Sequence, residues 1–434
     1  MTPFRRRSLL ASAALALVAA LPATTATAAP QNTQATPHFS TVDDPAMDAP
    51  QQHTAYVLFQ GGHRESLNGI TYHSFRIPAI VRTNAGTLLA FAEGRVKSNQ
   101  DHGNINLVYK RGVNNGSKAS DWSGLKEAVG AGMGTWGNPT PVVDRATGTI
   151  WLFLSWNAAD KSLGGGTNPD TGEPTSPIRQ WGERRVYAMK STDDGLTFTG
   201  LDGSSRPTDL TEALLPKTKA DGSTWAWDAM GPGAGLYTSG GALVIPAQHR
   251  NIYSTDHGRT WKVQKLAEGT GEATITELAD GTLYRNDRPG GTTWAEIAKR
   301  RFVARGGLDS GFAPFTPDDT LLDPKNQASV LQYNNDAPAR TIFLNSASTE
   351  VRTKMRVRLS YDGARTWPVS RPLSDGPSAP GAGTEGGYSS MAKTSDYRIG
   401  ALVESNLDVG DRTSARSIVF RKFNLSWILH GCAC

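Results

Sequence analysis

The chain is 434 residues long and carries 45 Lys and Arg against 40 Asp and Glu, with two cysteines, Cys432 and Cys434, one residue apart at its C-terminal end. Two thiols so placed cannot staple a core, because a bridge between them would close almost no loop. The formal charge of +5 falls to +2 without Arg5, Arg6 and Arg7, and no later basic tract could follow a phosphate backbone, so a nucleic-acid partner is not expected, whereas a small anionic partner stays open.

Arg5-Arg6-Arg7 precede an apolar run from Leu9 to Leu21 and the small-residue stretch Thr24 to Ala29, which is the order of a secretory signal. The apolar run is shorter than the about 20 residues a membrane-spanning helix takes, and Ala26 and Ala28 form an Ala-x-Ala site, so no membrane span, cleavage after Ala28 and secretion are expected. Arg6-Arg7-Ser8-Leu9-Leu10 also reads as a twin-arginine signal, which leaves the general and the folded-state export routes both open. Residues 29–53, rich in Ala, Pro, Thr, Gln and Asp, read as a flexible linker. The folded part is expected to start near Tyr56, in one domain spanning 54–434.

From there to about Leu429 the chain is a series of short apolar runs broken by Gly, Pro, Asn and Asp. Ala79-Ile80-Val81, Thr87 to Phe91, Ile150 to Leu154, Ala242 to Ile245 and Ile342-Phe343-Leu344 are examples, and they predict an all-β fold. The best helix candidate is Thr293 to Arg301. Gly132-Met133-Gly134-Thr135-Trp136-Gly137 matches a dinucleotide-binding glycine pattern in form, but no helix pattern follows and a loop is expected. No His/Cys/Asp grouping has zinc or calcium spacing, so neither metal nor cofactor is expected. The glycine-rich stretch from Lys161 to Pro177 carries no motif.

Three segments share a turn signature: Ser191 to Phe198, Ser254 to Trp261 and Ser360 to Trp367, each reading Ser-x-Asp, then Gly, then Thr-aromatic, the pattern called an Asp box. Ser and Asp bond the turn's own amides, Gly takes positive φ and the ring packs beneath. In the third copy Gly363 comes one place early, and near Ser120-Asp121-Trp122 no box is evident. The boxes are structural, since their side chains are spent locally. The first interval is 63 residues and the second 106, or two units of 53. Units of this size fit the blades of a propeller, and a span of roughly 375 residues holds about six, so a six-bladed β-propeller is expected.

Tyr72-His73-Ser74-Phe75-Arg76-Ile77-Pro78 places one arginine between an aromatic and an apolar pair. Together with the Asp boxes it resembles the Phe/Tyr-Arg-Ile-Pro motif of bacterial and animal sialidases, and the resemblance runs to Phe423-Asn424-Leu425-Ser426-Trp427. It implies an exo-α-sialidase acting on sialylated glycans. By that resemblance Arg76, Arg288 and Arg352 are three arginines that clamp the substrate carboxylate. Arg95, in Ala92-Glu93-Gly94-Arg95, lies beside the sugar. Asp101 is the acid/base, Tyr388 in Gly386-Gly387-Tyr388 the nucleophile, Glu272 the acid that assists it, and Glu404 the acid that steadies Arg76. Asn138 resembles a position near the sugar's outer substituents, and Asn138-Pro139 reads equally as turn chemistry. Glu277 reads as a surface acid at a strand end, and His102 reads as a surface histidine, with tuning of the proton affinity of its neighbour Asp101 as the alternative.

The substrate explains this set. Sialic acid carries a carboxylate on its anomeric carbon, and guanidinium groups bind carboxylates through parallel hydrogen bonds. The same carboxylate would repel an Asp or Glu nucleophile, which a neutral phenol avoids. With a pKa of about 10, that phenol needs an adjacent base. Two other readings stay open: a non-catalytic sialoglycan-binding propeller, and a trans-sialidase that passes the sugar to an acceptor. A monomer is expected.

Overall fold

The computed structural model describes residues 50, 52–130, 132, 134–290, 299–406 and 416–430. The leader 1–28, most of the linker 29–53 and both cysteines lie outside the described residues.

The described strands form six antiparallel meanders in chain order. The first runs through Ser74–Arg82, Leu88–Arg95, Ile105–Gly112 and Lys126–Val129, and the second through Gly134–Val143, Ile150–Ala158, Arg185–Ser191 and Thr208–Asp209. A single parallel pairing, Ile105 with Thr135, joins these two. The third comprises Leu236–Tyr237, Leu243–Ala247, Arg250–Ser254 and Lys262–Lys265; the fourth Thr270–Glu277, Leu283–Pro289, Arg300–Gly307 and Thr316–Leu322; the fifth Ser329–Asn334, Arg340–Ser346, Met355–Ser360 and Val369–Pro372. The sixth combines Thr384–Lys393, Ile399–Asn406 and Arg416–Phe423 with Gln52–Phe59 from the start of the folded chain. The fold is almost all-β: the α-helices among the described residues are the short turns Thr211–Leu214 and Leu425–Leu429.

Each meander's first strand touches the first strands of the meanders before and after it, and Thr384–Lys393 in the last touches Ser74–Arg82 in the first. Between each neighbouring pair lies an apolar core. Phe91, Leu107 and Tyr109 face Val143, Leu152 and Leu154 between the first and second, whereas Ile80, Leu88 and Val108 face Leu402, Ile418 and Phe420 between the first and sixth. Both faces of a sheet are therefore covered, and every residue of Leu88–Arg95 is buried. This accounts for the continuous apolar runs in place of inside-outside alternation.

All three Asp boxes sit at the turn between the third and fourth strands, in the second, third and fifth meanders. In the second box the Ser254 hydroxyl donates to Asp256 (2.7 Å) and accepts from the amide of Gly258 (2.8 Å), and Trp261 packs edge-on against Phe153. The third box keeps this geometry despite its displaced glycine. Each turn holds two consecutive positive-φ residues, His257 and Gly258 in one and Gly363 and Ala364 in the other, and glycine occupies the other of the two places. The long second interval skips the fourth meander.

Several expectations are corrected. Arg300 and Arg301, the end of the predicted helix, begin the strand Arg300–Gly307, and 293–298 lie outside the described residues. Arg301 is fully buried and donates to the side chain (2.7 Å) and carbonyl (2.9 Å) of Asn286 on the neighbouring strand, a pairing stronger than local helix preference. The glycine string is not a loop throughout, because Gly134 starts a ten-residue strand. The first strand begins at Gln52, inside the stretch read as linker, because it completes the sixth meander.

Candidate active site

Arg76, Asn138, Glu272 and Tyr388 all lie on first strands, and each falls in or beside a break in strand register. The breaks lie between Arg76 and Ala79, Gly137 and Thr140, Thr270 and Ala273, and Glu385 and Ser389. A bulge re-aims a side chain that regular pleating would direct into an inter-sheet core. Ile77 and Asn138 have φ of 58° and 57°, a left-handed region that asparagine tolerates and that β-branched Ile77 strongly disfavours. Both residues donate their backbone N–H to a buried carboxylate, Ile77 to Glu404 and Asn138 to Glu93, each at 3.0 Å.

The four side chains reach one cavity of about 620 Å³, whose lining also includes Arg95, Asp101, Arg184, Arg288, Lys325 and Arg352. Its rim and floor carry six cationic side chains against three carboxylates, Glu93, Asp101 and Glu272. Such a concave, positive surface concentrates anions.

Tyr388 is the centre of the arrangement. Its phenol donates to Glu272 Oε1 at 2.5 Å and accepts from Arg288 Nη1 at 2.8 Å, while Arg288 also pairs with Glu272 Oε2 at 2.6 Å. The guanidinium carbons of Arg76 and Arg352 lie 5.4 and 5.3 Å from the centre of its ring. Burial, and then the charge of Glu272, push the phenol's pKa above its ordinary value, against the pull of Arg288, Arg352 and Arg76. The phenol is therefore held neutral, with its hydroxyl hydrogen directed at Glu272.

Gly386 and Gly387 make the approach to Tyr388 possible. A Cβ on Gly386 would lie 1.8 Å from the Arg352 carbonyl oxygen, and one on Gly387, at φ +132°, would lie 2.3 Å from Glu404 Oε2. Glu404 is fully buried. It accepts from Arg76 Nε (3.1 Å) and from the amides of Ile77 (3.0 Å) and Tyr388 (3.1 Å). Burial alone would raise its pKa, but Arg76, Arg416 and the Ile77 amide outweigh it and lower the value to about 2. One carboxylate therefore fixes both Arg76 and the backbone of Tyr388.

Asp101 sits on the loop after Leu88–Arg95, with its carboxylate 2.8 Å from both Arg76 Nη1 and Arg95 Nη2. Desolvation in the recess opposes its ionisation, but 73% of the side chain is open to solvent, and Arg95 and Arg76 prevail, holding the carboxyl well below the usual carboxylate range. Arg95 is in turn held by Glu93 at 2.6 Å.

The sequence reading thus placed Arg76, Arg95, Asp101, Asn138, Glu272, Arg288, Arg352 and Tyr388 in one cavity, with Glu404 directly behind it. It missed Glu93, Arg184 and Trp227. Glu93 stands two residues before Arg95 on the same strand, and this i,i+2 spacing was the signal that both share a face. Arg184 is buried, donates to Asn138 Oδ1 (2.5 Å) and stacks over Trp227 at 4.5 Å. Nothing in the local sequence distinguishes it from its exposed neighbour Arg185. His102, read as a surface residue, lines the cavity and bonds the Thr167 carbonyl at 2.9 Å. Glu277 closes its strand and accepts from Ser239, as expected of a strand-end acid.

Residues 86–402 match the BNR repeat-like domain family. The chain is 52% identical over 404 residues to the exo-alpha-sialidase of Aspergillus fumigatus and 51% identical over 404 residues to that of Arthroderma benhamiae, covering 90% of this chain and 94% of each relative. It is 28% identical to the sialidase of Micromonospora viridifaciens, over 83% of this chain and 53% of the relative. Among solved structures, the Hadza microbial sialidase Hz136 superposes with a TM-score of 0.68 at 23% identity, covering 86% of this chain and 69% of that one.

Proposed function

The chain belongs to the exo-alpha-sialidase family, and on that premise we propose that it hydrolyses terminal α-linked sialic acid from glycoconjugates with retention, using Tyr388 as nucleophile. The observation that carries this reading is the 2.5 Å contact between the Tyr388 phenol and Glu272, made inside a ring of Arg76, Arg288 and Arg352. The six meanders are the blades of a propeller, a reading supported by their first strands touching in succession and by the return of Gln52–Phe59 to the last sheet.

In this mechanism the sugar carboxylate is gripped by Arg76, Arg288 and Arg352, which places the anomeric carbon over the Tyr388 oxygen. Glu272 takes the phenol proton as that oxygen bonds to the anomeric carbon, and Asp101 gives a proton to the departing glycosidic oxygen. Asp101 then removes a proton from water, which attacks the anomeric carbon and releases Tyr388; the phenolate recovers its proton from Glu272. Two inversions give net retention.

Asp101 must carry a proton to act as the acid, yet Arg76 and Arg95 favour its ionised form. A substrate carboxylate competing for Arg76 loosens that hold, so binding itself raises the proton affinity of Asp101. In this reading Asn138, Arg95 and Arg184, which line the same cavity, receive the sugar's outer substituents. Secretion through the N-terminal signal and a monomeric state complete the proposal.

The test is incubation with an aryl α-sialoside followed by proton NMR of the first-formed anomer. Release of the α-anomer supports the reading, and absence of turnover by folded protein overturns it. A parallel incubation with lactose separates hydrolysis from transfer, since a transferase forms sialyllactose.

A further inference from the structure

We infer that the glycine-rich flap formed by residues 161–177 seats the loop that carries Asp101, and that Asp170 is the positioning residue through which it acts. The inference rests on the reading of Asp101 as acid/base. Loop residues 96–104 contain neither helix nor strand, and the side chain of Asp101 is largely exposed. A general acid on such a loop needs external restraints, because displacement by an ångström spoils proton transfer.

The restraints come from two sides. On one, Arg95 donates to the Asn99 carbonyl and Thr135 Oγ1 to the Gly103 carbonyl (2.9 Å). On the other, the flap supplies the carboxylate of Asp170, which accepts the Asn104 amide at 2.5 Å, and the carbonyl of Thr167, which meets His102 Nε2 at 2.9 Å. Asp101 thus lies among three residues whose groups are tied down, His102 and Asn104 on one flank and Asn99 on the other.

The flap is built to hold Asp170 still. Its short strands Lys161–Ser162, Gly166–Thr167 and Pro174–Pro177 pair with one another, and Asn157 Nδ2 holds the Lys161 carbonyl at 2.9 Å. Within the turn that joins Gly166–Thr167 to Pro174–Pro177, Asn168 N donates to the Glu173 carbonyl (2.8 Å), Gly172 N to the Asn168 carbonyl (2.8 Å), and Asp170 N to Asn168 Oδ1 (2.9 Å); Asn168 itself is buried. An ionised carboxylate accepting a backbone amide forms one of the stronger hydrogen bonds. The fit against the loop is close: a Cβ on Gly103, at φ +98°, would lie 2.7 Å from Asp170 Oδ2 and 2.8 Å from Pro169 Cγ. The same flap contributes Ser162, Leu163, Gly164 and Gly165 to the cavity wall, so one element both lines the cavity and sets the acid.

Acid assistance matters most when the departing oxygen is strongly basic, which separates positioning from general destabilisation. Asp170→Ala should lower kcat/KM on sialyllactose about 10-fold or more and on a 4-nitrophenyl sialoside, whose leaving group departs without a proton, less than about threefold. Asp170→Asn, which keeps an acceptor oxygen, should recover most of the loss. Hydrogen exchange of the peptide covering 96–104 should be faster in Asp170→Ala and near normal in Asp170→Asn, a readout that needs no turnover. Equal losses on both substrates, no loss on either, or unchanged exchange would overturn the inference. If Asp101→Ala itself lacks the leaving-group dependence while exchange responds to Asp170→Ala, the acid/base reading falls and the seat of the loop stands.

Discussion

The phenol oxygen of Tyr388 and the Oε1 of Glu272 lie 2.5 Å apart although 116 residues separate them in the chain. Arg288 bridges both at 2.8 and 2.6 Å, so a phenol, a carboxylate and a guanidinium form one hydrogen-bonded unit.

Tyr388→Phe removes the oxygen and leaves the ring within reach of Arg76 and Arg352. The expected outcome is a fall in kcat of at least about 10³-fold with little change in the affinity for a sialic acid analogue, measured by steady-state kinetics and calorimetry. Near-normal turnover in this variant would remove Tyr388 from the nucleophile's role.

Arg352 lines the cavity beside the Tyr388 ring, with Nη2 3.5 Å from the Lys325 carbonyl. A contact to the substrate carboxylate that persists in the transition state predicts that Arg352→Ala raises KM and lowers kcat, each by about 10-fold. Unchanged kinetics would take Arg352 out of the clamp.

Gly387→Ala forces a Cβ against the buried Glu404 carboxylate at a φ that alanine disfavours. A loss of about 2–4 kcal/mol in urea unfolding is expected, with reduced kcat because the next residue is Tyr388. Wild-type stability would show that the strand slides to accept the methyl group.

Glu404 makes stability depend on pH with a definite sign. Its folded pKa of about 2 lies below the ordinary carboxylate value, so its contribution is complete above about pH 4.5 and fades as pH falls toward 2. The amount at stake is on the order of 3 kcal/mol. Tm measured from pH 6 to pH 2 should fall through that window in the parent chain and less steeply in Glu404→Gln; identical slopes would mean that other carboxylates dominate.

Ser254→Ala tests the structural nature of the Asp boxes. Loss of the hydroxyl leaves the buried Gly258 amide without its acceptor, at a cost of about 1–3 kcal/mol, while kcat and KM stay at parent values because the box lies away from the cavity. A kinetic change without a stability change would contradict that assignment.

Some of the chain could be read from residues alone because the determining forces are local. The runs around Phe91, Leu152 and Phe343 mark strands buried on both faces, and the boxes at Ser191, Ser254 and Ser360 mark turns whose side chains bond their own backbone. The resemblance around Arg76 and Tyr388 supplied the candidate site, residue by residue. Local pattern failed at Arg301, where buried pairing with Asn286 and Asp323 outweighs helix preference, and the contact of His102 with Thr167, 65 residues away, was not readable from it.

What only the tertiary structure decided is where the polar side chains point and which of them share a charge. Bulges at Arg76, Asn138, Glu272 and Tyr388 turn these residues toward one cavity, and a bulge depends on what the neighbouring strand offers at that place, not on the residue's own preference. Glu93 and Arg184 meet Asn138, and Asp170 meets Asn104, across 45 to 66 residues of chain. Hydrophobic periodicity is inherited along the chain, whereas hydrogen bonds and ion pairs act over a few ångströms between segments that meet only once the sheets have assembled.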